Sequence, residues 1–160
     1  MKNSLIEIIN YIIEKYEPSK KISLSRLIKT IYLADWKESI TNKKQITNIE
    51  WFFNLNGPYN PLILKESEKE KSIKITTTLT ESGEKQTTLE KTEEKKNHLD
   101  AETIKILDFV IEATKNKKHI ELIKLVASTY PVISSEKFHT LNLIKKAEEY
   151  KEYLDNTEAP

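Results

Sequence analysis

A chain of 160 residues with 38% hydrophobic and 32% charged side chains is long enough to bury a core, and one domain over 1–154 with a frayed 155–160 tail is expected. It has no cysteine, which removes disulfides, thiolate nucleophiles and cysteine metal sites; no run reaches bilayer length and the N-terminus lacks a signal peptide's features, so a cytoplasmic location without membrane contact is expected. The 26 Lys+Arg balance 25 Asp+Glu, eight Lys and eight Glu share residues 65–97, and Arg26 is the sole arginine, so the basic patch and arginine forks of a nucleic-acid binder are missing.

Leu5, Ile8, Ile9, Ile12, Ile13 and Tyr16 recur at helical spacing and predict a first helix over 4–16, ended by Pro18. Ser23 is a suitable N-cap for a second helix reaching about Ile40, with Leu24, Leu27, Ile28 and Ile31 on one stripe. The β-branched and aromatic run "ITNIEWFFNL" at 46–55 reads as a strand, followed by a corner at Asn56, Gly57 and Pro58. Asn60 can cap, and Pro61 open, a short helix over 61–69. Residues 73–80 and 85–91 have strand composition around the turn "ESGE", giving a hairpin insertion at about 72–92. "KTEEKKN" reads as a solvated linker. Asp100 caps a fourth helix, a fifth covers 119–128 until Pro131, and a last one runs over 140–154. The fold class is therefore α+β and mainly helical: about five to six helices around one core, with a small antiparallel sheet inserted.

With only two glycines in the chain, a Rossmann fingerprint, a P-loop and a nucleophile elbow have no local support. His98, His119 and His139 form no close ligand pair, and surface or capping roles are expected, with no metal and no cofactor. Asp35 falls in the middle of the apolar stripe of the second helix, so it needs a partner. It either accepts hydrogen bonds from backbone amides of an adjoining loop, tying the corner down, or acts as an acid or base of raised pKa beside the Gly57–Pro58 turn. Tyr32, Trp36, Trp51, Phe52 and Phe53 cluster in sequence; strand alternation puts Trp51 and Phe53 on one face and Phe52 on the other. They either fill the core or anchor a protein partner.

"LSRLIKTIYLADW" (24–36), then "WFFNLNGPYNPLILKE" (51–66), then "LVASTYPVISSEKFHTLNLIKKAEEY" (125–150) resembles the Panacea domain, the SocA-like family also called DUF4065. Its pattern is a helix ending in a tyrosine, alanine and tryptophan motif, an aromatic strand, and a Gly-Pro corner opening a helix. The motif positions here are Tyr32, Asp35, Asn56, Gly57, Pro58, Asn60 and Pro61. The resemblance implies a non-enzymatic antitoxin, in some members prophage-encoded, that neutralises a toxin encoded nearby by direct binding. An alternative is an adaptor that delivers the toxin to a protease, and a lesser one is a small enzyme using Asp35. Trp36, Trp51, Phe53 and Tyr59 are the expected partner-binding residues, and a second copy of the chain is a further candidate partner. Were nucleic acid bound instead, Lys74, Lys85 and Lys91 on the hairpin would be the place.

Overall fold

A computed structural model describes residues 4–16 and 20–158. The element order is α1 (Leu5–Lys15), β1 (Lys21–Ser23), α2 (Leu24–Asn42), β2 (Trp51–Asn54), β3 (Gly57–Tyr59), α3 (Leu62–Lys69), β4 (Ile73–Leu79), β5 (Lys85–Lys91), α4 (Ala101–Thr114), α5 (His119–Ala127), α6 (Tyr130–Ile133), β6 (Thr140–Leu141) and α7 (Leu143–Glu158). The α+β, mainly helical class holds, with seven helices among the described residues. The additional one is α6, in which Pro131 sits in the first turn, where a missing N–H costs nothing.

Ser4 caps α1 on the Glu7 amide, Ser23 caps α2 on the Arg26 amide, and Asp100 caps α4 on the Thr103 amide. The expected stop at Pro18 lies outside the described residues. In α1 the isoleucines at 8, 9, 12 and 13 are fully buried. Helix α2 is enclosed on most sides, because it runs through the middle of the fold against α4, α5 and α7. One apolar cluster draws on every part of this arrangement, from Ile8 through Trp51 to Ala147.

Two three-stranded antiparallel sheets flank that core, one ordered β1-β5-β4 and the other β3-β2-β6. The β4–β5 hairpin matches the sequence expectation, but its third strand β1 does not follow from it: three residues are too short for a periodic signal. Lys91, read as the start of a solvated linker, is instead buried at the end of β5. Its ammonium donates to Asn10 Oδ1 at 2.6 Å and Ser72 Oγ at 2.5 Å, with Glu14 at 3.7 Å, which is how a charged group tolerates burial. The last helix starts three residues later than expected, since Thr140 and Leu141 pair with β2. It also continues through the supposedly frayed 155–158, where Thr157 Oγ1 donates to the Tyr153 carbonyl at 2.8 Å.

Candidate functional site

Asp35 organises the region that leads into the corner. Its Oδ1 accepts from the amides of Ile46 at 2.9 Å and Thr47 at 3.0 Å. Its Oδ2 accepts from Thr47 Oγ1 at 2.5 Å, Trp51 Nε1 at 2.9 Å and Gln45 Nε2 at 3.3 Å. Residues 46–50, expected to be strand, are therefore a loop wrapped on this carboxylate, and β2 begins only at Trp51. Burial pushes the Asp35 carboxyl up to about 6, against the downward pull of Thr47, Trp51 and the two amides. The side chain is fully enclosed, at 0% exposure, and it lines none of three surface grooves found among the described residues. Of the two roles open to Asp35, the geometry is that of the loop-fixing one.

The corner itself is tied by a different residue. Asn60 Nδ2 donates to the Glu50 carbonyl, and its Oδ1 accepts the Leu62 amide, both at 2.8 Å. Pro61 follows in right-handed conformation and takes the N-cap place of α3, its carbonyl accepting the Lys65 amide at 3.1 Å, so the helix opens one residue later than expected and Asn60 fixes the turn just before it. Gly57 has φ +110°, and a Cβ there would meet nothing within 4 Å. Glycine is required by the backbone angle and not by space. Before helix α3 the chain returns along β2 as β3, pairing Phe53 with Pro58 and Phe52 with Tyr59.

Three of the four expected partner anchors prove to be core. Trp51 is 0% exposed and stands edge-on to Tyr32 at 5.5 Å; Trp36 and Phe53 are each 7% exposed. Tyr32 in turn meets Thr129 Oγ1 at 2.8 Å, joining α2 to the start of α6. These side chains face inward because α2 is central and because alternation turns Trp51 and Phe53 to the same side of β2. Tyr59 is half-buried against the core.

The opposite face of the sheet carries Phe52, one of the aromatics weighed as core or anchor, and beyond it lies Phe138, which the sequence reading passed over. Phe52 is 38% exposed, flanked by Tyr59 on one side and Thr140 on the other. Beyond β6 the Phe138 amide donates to the Phe53 carbonyl at 2.6 Å, and the Phe53 amide to the His139 carbonyl at 2.9 Å. Both bonds fall on Phe53, so Phe138 and His139 stand together opposite it in a bulge that closes the β2–β6 ladder. Leu55, in the turn after β2, is 64% exposed. Phe138 is 60% exposed and has φ +68°, a left-handed conformation disfavoured for a bulky residue. The available signal was a lone phenylalanine in the polar run "SSEKFHT".

On the far side of the corner lies a groove of about 590 Å³ between the hairpin tip, the start of α2 and residues 54–59. Asn56, Gly57, Pro58 and Tyr59 all line it. His98 and His139 are surface groups beside Glu7 and Glu136, whereas His119 lines the groove. Among the described residues no group of three or more His, Cys, Asp or Glu could hold a metal ion, and no helix is long and apolar enough to cross a membrane.

The profile of the antitoxin SocA-like, Panacea domain matches residues 27–130. The chain belongs to that family. Searches among curated proteins and among solved structures found no significant match. The Panacea match contains the Asp35 cluster, the Gly57 corner, the hairpin and the Thr129 contact, and it ends at Tyr130, at the first residue of α6. Phe138 and α7 lie beyond it. The family is an antitoxin-like one and not a known enzyme family.

Proposed function

We propose that this Panacea protein is an antitoxin that neutralises a toxin encoded nearby by direct protein–protein binding, through the outer face of the β3-β2-β6 sheet. The observation that carries the docking face is Phe138. An aromatic side chain exposed by 60% and kept in a left-handed conformation costs free energy that glycine or asparagine would avoid. The bulge against Phe53 calls for a left-handed residue, which glycine would supply at less cost, so what supports recognition is a phenylalanine placed there with its ring exposed. Phe52 adds an exposed aromatic on the outer face of β2 with Tyr59 paired beside it, and Leu55 is exposed in the turn that follows. Aromatic anchors of this kind supply a large share of binding energy in protein interfaces.

The fixed geometry behind the face supports the reading. Trp51 and Phe53 lock the inner side of β2, while Asp35 and Asn60 fix the loop before it and the corner after it. A rigid backbone lowers the ordering cost of association. Co-expression with the neighbouring toxin should yield a stable complex, and Phe52→Ala with Phe138→Ala should dissociate it while the circular dichroism spectrum stays that of the parent. Toxin that disappears only when the antitoxin is present would instead make the protein an adaptor for a protease.

A further inference from the structure

We infer that the groove beside the corner takes an extended acidic segment of the partner protein, which adds to the open half of β5 as a strand in line with β1. The inference rests on the antitoxin reading and specifies a second contact of that partner.

The backbone provides the template. β5 pairs along its full length with β4, from Lys85↔Leu79 to Lys91↔Ile73. On its other side β1 covers only Thr88 to Glu90, because Ser23 leaves the ladder to cap α2. The parity of the strand then settles which groups are open. The Lys91 amide points to β1, donating to the Lys20 carbonyl, whereas the Glu84 carbonyl and the Thr92 amide bond on the β4 side. Odd residues therefore turn their N–H and C=O toward β1, which places those of Lys85 and Thr87 on the edge where no strand follows among the described residues. That edge does not face open solvent. It forms one wall of the groove, with Gly57, Pro58 and Tyr59 opposite. Unpaired strand edges of this kind are where extended peptides dock by main-chain hydrogen bonding.

The charge of the groove selects the segment. Arg26, Lys29, Lys85 and His119 line it, against the single carboxylate of Glu84. Arg26 donates to the Thr114 and Lys117 carbonyls and Lys29 to Ser25 Oγ, so both are oriented by neutral acceptors that leave their charge in place. Neither they nor Lys85 join an ion pair among the described residues. Burial together with the nearby Lys29 and Arg26 holds the His119 pKa below its ordinary value, as a positive field requires. An incoming strand bearing Asp or Glu on alternate positions meets that field with one face while its backbone pairs with Lys85 and Thr87.

The test uses the purified toxin and overlapping peptides that cover its acidic stretches, each titrated by fluorescence anisotropy. Thr87→Pro removes the groove-facing N–H without touching a backbone bond to β4, and Thr87→Val controls for the hydroxyl contact with Thr77 that is lost with it; Lys85→Glu reverses an exposed charge. Thr87→Pro and Lys85→Glu are each expected to weaken the toxin and one acidic peptide by about tenfold, with the loss steeper in low salt for Lys85→Glu. Wild-type affinity in both variants overturns the inference, and if Phe52→Ala and Phe138→Ala still abolish binding, the antitoxin reading stands without it. Absence of any toxin binding by the parent chain overturns both. Salt-sensitive binding of a labelled oligonucleotide that Lys85→Glu abolishes, with toxin binding untouched, assigns the groove to nucleic acid and also overturns the inference.

Discussion

Replacing Asp35 by alanine removes the acceptor of a buried hydrogen-bond cluster. Thr47 and Gln45 have rotatable donors that can find other acceptors, whereas the Ile46 amide, the Thr47 amide and the Trp51 indole are fixed in place. Each buried donor left unpaired costs about 1–3 kcal/mol, so the three together cost about 3–9 kcal/mol. The opposing contribution is relief of burying a carboxylate: a pKa lifted from 3.8 to about 6 corresponds to about 3 kcal/mol. The net expectation is a loss of about 3 kcal/mol at pH 7, midway within that spread, which is a large share of a small domain's stability. Urea unfolding followed by tryptophan fluorescence measures it, and Trp51 reports directly on the cluster. Asp35→Asn should fall between the parent and Asp35→Ala, because its amide group retains an acceptor oxygen but points a donor at donors. A loss below about 1 kcal/mol for Asp35→Ala would refute the argument that this carboxylate holds the loop and β2 together.

The pH dependence follows with its sign. The folded pKa near 6 lies above the ordinary 3.8, so folding favours the protonated form; this stabilisation is complete below about pH 4 and is lost as pH rises through 6. The stability gap between the parent and Asp35→Asn should therefore narrow from pH 4.5 to pH 7, and a gap that widens contradicts the assignment. Gly57→Ala should cost about 1–3 kcal/mol in chemical denaturation, entirely from the φ of +110°, since its methyl group enters open space. Trp51→Ala should cost about 3–5 kcal/mol, and a near-neutral result would place the indole outside the core. Phe138→Gly should raise stability by up to about 1 kcal/mol through relief of its left-handed strain, while weakening toxin binding. A loss of stability at unchanged toxin affinity would mean that Phe138 is structural.

Much of this architecture was legible because its signals are local. Ser23 and Asp100 act as caps from their own side chains, and the hairpin follows from strand composition around Gly83. The corner was legible for the same reason: Gly57, Asn60 and Pro61 each work within a few residues. Non-local pairing was not. β1 and β6 exist only because distant strands give them partners, and Lys91 is buried only because Asn10 and Ser72 come to meet its ammonium. The aromatics show the same division. Alternation separated Phe52 from Trp51 and Phe53, but which face turns inward depended on where α2 lies. The partner-binding expectation accordingly fell on Trp36 of the enclosed helix α2 and on Trp51 and Phe53, on the side of the sheet that the core covers. Phe138 carries no periodic signal at all, and only the bulge against Phe53 beside β6 brings it to this end of the sheet.

The affinity of the purified protein for the proposed toxin, measured by calorimetry for the parent and for the Phe52→Ala/Phe138→Ala variant, tests the central claim most directly. Loss of two interface aromatics at about 2 kcal/mol each predicts a Kd raised by about three orders of magnitude, with an unchanged unfolding midpoint. A Kd within about threefold of the parent's would contradict the claim that this face of the sheet holds the toxin.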